Sequence, residues 1–232
     1  MIGVFDSGIG GITVINAVIK KFPKYKYIYY SDSLNNPYGD KSKEELLKIT
    51  ENVISKLISK GCQIIVIGCN TASTNCYEEL KNKFSIPIIK IEPSYQLLLG
   101  KTLIMATSST IKSKRFKEIL KEYDKKSTYI CECPGLADLI ENEEDVNSYL
   151  NKKISKFKGV DNVVLGCTHY PLIKEAIRKV LGNVKFYDGV EEVVNTLQKE
   201  LTNIKETKFD IEFIDSSHSK SKKERFFKLL TK

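Results

Sequence analysis

Two cysteines stand in matching surroundings: the run "IIVIGCNTAS" carries Cys69 and the run "NVVLGCTHYP" carries Cys167. In each, an aliphatic stretch ends in glycine, the thiol follows, and a small polar side chain, Asn70 or Thr168, comes next. Three chemistries are open to a thiol so placed: a small buried hydrophobe, a metal ligand, or a nucleophile or proton-transfer group. A helix N-terminus just beyond the sulfur favours thiolate. His169, one of only two histidines, lies two residues past Cys167, where it can assist proton transfer or hydrogen-bond a substrate. A metal site needs clustered ligands at suitable spacing. Cys131 and Cys133 form a C-x-C without a partner motif, and a strand and a turn break up the series Cys62, Cys69, Cys76. No metal is therefore expected, and Cys62, Cys76, Cys131 and Cys133 read as ordinary thiols.

The elements that must hold Cys69 and Cys167 follow from periodicity. Short aliphatic runs at 2–5, 27–30, 64–67, 87–91, 103–106, 128–131, 163–165 and 184–187 alternate with longer amphipathic stretches. That alternation predicts βα units around parallel sheets, an α/β doubly wound design. In "SKEELLKITENVISKLISKG", Ser42 is a natural N-cap, Glu45 completes a capping box and Gly61 stops the helix. Ligands bind at the carboxyl ends of parallel strands. Those ends read "DSGIGG", "SDSLNNPYG", "GCNTAS", "TSST" and "GCTHYP", rich in hydroxyls, amides, glycines and the two thiols. The cysteine runs lie about 100 residues apart, and so do "IGVFDSGIGG" and "TLIMATSST", so the chain reads as a duplication. Two halves facing each other would offer one thiol from each side of a cleft. Cys69 and Cys167 would then be a pair of acid/base groups.

Other motifs carry less. Gly100, Lys101 and Thr102 look like the tail of a phosphate-binding loop, but they precede a strand where that loop precedes a helix. "DSGIGG" lacks the third glycine of a dinucleotide fingerprint, since Thr13 occupies its place. It reads either as a plain tight turn or as a nest of N–H groups for an anionic ligand.

The chain has 232 residues, 41% hydrophobic and 28% charged, the composition of an ordered soluble protein. Its start has no signal-peptide pattern and no apolar run is long enough for a membrane span, so a cytoplasmic location with reduced thiols is expected. The net charge of +8 is almost all lysine, with arginine only at Arg115, Arg178 and Arg225. Base reading favours arginine forks, so nucleic acid is not expected as a partner and the lysines read as solvated faces.

Five blocks, "IGVFDSGIGGITV", "SDSLNNPYG", "GCNTAS", "CPGLADLIE" and "GCTHYPL", resemble in order the cofactor-independent glutamate racemases, which supply D-glutamate for bacterial peptidoglycan. His169 after Cys167-Thr168 resembles the glutamate rather than the aspartate branch. The resemblance implies two pseudo-symmetric α/β domains, residues 1–92 with 189–232 and residues 93–188, with the active site at their interface, and a homodimer. It implies that Cys69 and Cys167 flank Cα of glutamate, the first deprotonating the D- and the second the L-enantiomer. It implies Asp6 and His169 as their assistants, Asp6 acting by hydrogen bonding or by holding the substrate ammonium. Ser7, Asn70, Thr71 and Thr168 are expected to hold the substrate's carboxylates and ammonium, and Pro37, Tyr38 and Gly39 to shape the mouth of the pocket. Asp32 and Glu141 match acidic positions of the family, or else are surface charges. No nicotinamide or pyridoxal site is expected.

Two rivals stand beside this reading: an aspartate or broad-specificity racemase on the same scaffold, and a basic binding or regulatory protein. The second is motivated by the tail "SKSKKERFFKLLTK", a basic amphipathic helix that either docks on the body through Phe226, Phe227, Leu229 and Leu230 or binds a partner.

Overall fold

A computed structural model describes residues 1–93, 99–122 and 126–231; the tail's last residue, Lys232, lies outside them. Among the described residues nine strands run β1 Ile2–Asp6, β2 Lys26–Ser31, β3 Ile64–Ile67, β4 Ile88–Lys90, β5 Thr102–Ala106, β6 Thr128–Glu132, β7 Asn162–Gly166, β8 Lys185–Tyr187 and β9 Asp210–Asp215. The α-helices of the same described residues are α1 Ile12–Lys21, α2 Lys43–Ser59, α3 Asn70–Lys83, α4 Ser108–Lys112, α5 Lys114–Ile119, α6 Leu136–Glu141, α7 Asn147–Ile154, α8 Lys174–Leu181, α9 Val190–Glu200 and α10 Lys220–Leu229.

The strands form two parallel sheets, ordered β4-β3-β1-β2-β9 and β6-β5-β7-β8. Read outward from β1 and from β5 the orders are the same: β1 matches β5, β2 matches β6, β3 matches β7 and β4 matches β8, while β9 is an extra edge on the first sheet. The two echoes in the sequence are thus the same strands of each sheet. Cys69 follows β3 and Cys167 follows its counterpart β7.

Pleating sends alternate side chains to opposite faces, and both faces of the first sheet are covered. Ile2, Val4, Tyr27, Tyr29, Ile64 and Val66 pack toward α1, α9 and α10, whereas Phe5, Ile28, Tyr30, Ile65 and Ile67 pack toward α2 and α3. In the second sheet Leu103, Met105, Val163 and Leu165 meet α6, α7 and α8, and Ile104 and Val164 meet Phe116 and Ile119 of α5. Such two-sided burial explains why the strands read as continuous apolar runs. Among the described residues no helix is long and apolar enough to cross a membrane.

The eight expected strands are present, and the ninth, β9, is an addition. Ser42 caps α2 by accepting from Glu45 N–H. The reciprocal half of the capping box does not form, because the Glu45 carboxylate pairs with Lys41 instead. The terminal helix docks: Phe226 is fully buried, its ring 4.8 Å from Tyr29 and 4.5 Å from Phe213. Phe227 stays 43% exposed, so only part of the expected apolar side is covered.

Candidate active site

The carboxyl ends of the two sheets face one cleft. Its first side is made by Ser7, Pro37, Tyr38, Gly39, Cys69, Asn70 and Thr71, its second by Thr107, Cys133, Asp138, Cys167, Thr168 and His169. Space for the centre of a water molecule amounts to about 30 Å³, enough for one or two waters. The two halves therefore stand closed over the thiols. Both sulfurs line this cleft, one from each half, and both residues are buried.

Cys69 is the N-cap of α3, so its sulfur sits at the positive end of a 14-residue helix. That field is overmatched: burial, with the nearby Asp6 and Cys167, pushes the Cys69 thiol up, far beyond its ordinary range. Its S–H reaches the Ser7 hydroxyl at 3.9 Å, and Ser7 in turn reaches Asp6 Oδ1 at 3.4 Å. Asp6 was expected beside Cys69; it stands one hydroxyl away. Its other partners are Gly8 N–H, donating to Oδ1 at 2.9 Å, and the Thr168 hydroxyl, donating to Oδ2 at 2.9 Å across the cleft. Burial pushes this carboxyl up to about 6, against the opposing pull of His169, Gly8 N–H and Thr168.

The second thiol has a different escort. Cys167 Sγ lies 3.7 Å from His169 Nδ1, and His169 Nε2 lies 2.9 Å from Glu141 Oε2. Burial alone would lower His169, but its hydrogen bonds to Cys167 and Glu141 hold it well above the ordinary histidine value. Glu141, for its part, resists burial and is held down at about 2 by His169, Ile9 N–H and Lys222. The helix expected directly after Cys167 is instead a short 3₁₀ turn, Tyr170–Ile173, ahead of α8.

The glycine-rich loop is thereby explained. Its N–H groups do meet anions, but two separate ones that belong to the protein: Ile9 N–H donates to Glu141 Oε2 at 2.8 Å and Gly8 N–H to Asp6 Oδ1 at 2.9 Å. A Cβ at Gly8 would collide with Glu141 Oε2, and one at Gly10 would stand 2.6 Å from His169 Nδ1. Glycine serves the close approach of these side chains rather than an anionic ligand.

The acidic positions Glu141 and Asp32 are 6% and 2% exposed, so the surface-charge reading fails for both. Neither lines the cleft. Glu141 backs His169, and Asp32 accepts from the Tyr38 hydroxyl at 2.7 Å and from Asn35, steadying the pocket's wall. Thr71 hydrogen-bonds Thr107 across the halves at 3.0 Å. Asn70 Nδ2 is buried with no hydrogen-bond partner among the described residues, a donor that a bound polar group would satisfy. Sequence reading missed Cys133, Asp138 and Ser108 on the cleft wall, and Lys222 behind it. Membership of "CPGLADLIE" and "TSST" was the available signal for the first three; for Lys222 there was none.

Comparison with known proteins decides the lineage. A sequence model described as Asp/Glu/Hydantoin racemase matches residues 14–197. The chain belongs to that racemase family. Among curated members, a glutamate racemase of Clostridium acetobutylicum is 38% identical over 234 residues, covering 95% of this chain and 90% of the relative. One of Clostridium novyi is 41% identical over 202 residues, covering 81% and 78%. Among solved structures, glutamate racemase from Francisella tularensis in complex with D-glutamate superimposes with a TM-score of 0.82 at 27% identity, covering 99% of this racemase and 92% of that chain. The α/β fold with its paired parallel sheets is the fold of those enzymes.

Proposed function

We propose that this isomerase is a glutamate racemase in which Cys69 and Cys167 invert Cα by proton transfer from opposite faces. The observation that carries the reading is the pairing of equivalent strand-end thiols, one from each half, on a single cleft. Inversion removes a proton from one face and returns one to the other, and two opposed groups do this without either having to move around the substrate.

The escorts give each thiol its role. A free thiol is only a few per cent ionised near neutrality. His169, fixed by Glu141, is the group that takes the Cys167 proton, so Cys167 starts as the base toward L-glutamate. Cys69, kept protonated by burial, is the acid that completes D-glutamate. In the reverse direction Cys69 passes its proton through the Ser7 hydroxyl toward Asp6, whose raised value lets it accept and release a proton near neutral pH. Asn70 Nδ2, Thr71, Thr168 and backbone donors at the start of α3 hold the substrate's carboxylates and steady the charge that develops on removal of the proton. Pro37, Tyr38 and Gly39 shape the mouth. Because the cleft has room for only one or two waters, the halves, residues 1–92 with 189–232 against 93–188, part to admit the amino acid and close over it. The physiological setting of this reading is a cytoplasmic homodimer supplying D-glutamate for cell-wall peptidoglycan.

The test is an NMR record of the α-proton in D₂O, with L-glutamate and L-aspartate in turn, a reducing agent and no added cofactor. Washout from glutamate with growth of the D-enantiomer is expected. Washout from aspartate alone would replace the substrate, and silence from both would overturn the reading.

A further inference from the structure

The terminal helix α10 belongs to the first half, where Phe226 packs against Tyr29 and Phe213, and Leu229 C=O accepts from Asn16 of α1 at 2.9 Å. Its basic face nevertheless grips the second half. Arg225 donates through both terminal nitrogens to the last carbonyls of α6, Glu141 and Ile140. Lys222 Nζ lies 3.1 Å from Glu141 Oε1. The two oxygens of Glu141 are thus divided: Oε1 faces Lys222, while Oε2 takes Ile9 N–H and His169 Nε2. Without a cation on Oε1, that oxygen loses its charged partner, and the carboxylate is oriented through Oε2 alone, which Ile9 N–H and His169 share.

We propose that Lys222 is a positioning residue for the Cys167 half of the reaction: by holding Glu141 Oε1 it reserves Oε2 for His169, which keeps Nδ1 directed at the Cys167 sulfur. This rests on the two-thiol reading and adds to it a role for the C-terminal helix, whose lysines otherwise look like a solvated face. The side chain of Lys222 is 29% exposed and that of Glu141 only 3%. The cation is therefore a partly open clamp on a closed centre, and its removal leaves the packed core of α10 intact.

The experiment uses the full chain carrying Lys222→Met, with Lys222→Arg as the charge-restoring partner. Substrate deuterated at Cα separates the two transfers, since the C–D bond is broken by Cys167 from L-glutamate and by Cys69 from D-glutamate. With the Cys167 step made harder, Lys222→Met loses about 10- to 100-fold in kcat. Its deuterium isotope effect on kcat/KM rises from the L-enantiomer and falls from the D-enantiomer. Lys222→Arg returns both effects toward the native values. A general loss of folded protein lowers the rate without moving the two isotope effects apart. Should Lys222→Met fail to fold, Lys222→Gln is read the same way. Native isotope effects in both directions in a folded Lys222→Met or Lys222→Gln protein overturn the proposal. Absence of racemisation in the native protein overturns the two-thiol reading instead, so the two failures are distinct.

Discussion

Replacing Asp6 by asparagine should make the protein slower and more stable at once. Asp6 is fully buried, and burial is the main reason its carboxyl is pushed up from 3.8 to about 6. At about 1.4 kcal/mol for each unit, ionising it in the folded protein costs about 3 kcal/mol more than ionising it in the unfolded chain. For an acid whose folded value is raised, the native state keeps its proton after the unfolded state has lost it. Stability therefore falls as pH rises between about 4 and 6, and the full penalty persists above that window. Asparagine keeps an acceptor for Gly8 N–H and can donate to the Thr168 hydroxyl, but has no charge to bury. Urea unfolding of native and Asp6→Asn protein at a series of pH values, with unchanged slope m, should show near equality at about pH 4. The variant's advantage should grow to about 3 kcal/mol at pH 7. Its racemisation should drop by 10²-fold or more, as expected for loss of a proton carrier. A stability difference that stays flat between pH 4 and 6, or a variant less stable than native at pH 7, would refute the reasoning.

Gly10→Ala places a Cβ 2.6 Å from His169 Nδ1 and 2.7 Å from Thr168 Oγ1, displacing both. We expect a folded protein by circular dichroism with racemisation lowered by about 10²-fold, and a rate within twofold of native would contradict the packing role given to that glycine. Phe226→Ala empties a fully buried site among Tyr29 and Phe213. It should cost about 3–5 kcal/mol and about 10 °C in Tm by calorimetry, whereas an unchanged Tm would show that α10 is not docked in solution.

Much of this architecture was open to reading because buried parallel strands announce themselves as aliphatic runs. β9 escaped for the opposite reason. "DIEFID" puts acidic residues at Asp210, Glu212 and Asp215 into an edge strand, so no continuous aliphatic run marks it, and only pairing with β2 reveals it. The thiols were legible from their matched settings after Gly68 and Gly166, which the topology turned into equivalent positions on the two sheets. Glu141 was legible only as an acidic residue in a familiar block. What buries its charge is Ile9 N–H, 132 residues distant in sequence, and Lys222 from the far terminus. Long-range electrostatics of this kind leave no local pattern, and a lysine that closes on a buried carboxylate reads the same as its solvated neighbours. The loop "DSGIGG" misled in a related way: the local geometry pointed to an anion, but not to one supplied by the chain itself.

In a two-thiol racemase each thiol serves one face of the substrate, and single substitutions test that most directly. Cys69→Ala and Cys167→Ala should each abolish conversion of L- to D-glutamate and of D- to L-glutamate, followed by circular dichroism of the substrate, while remaining folded. If either variant racemises glutamate at the native rate, the two-thiol mechanism is wrong.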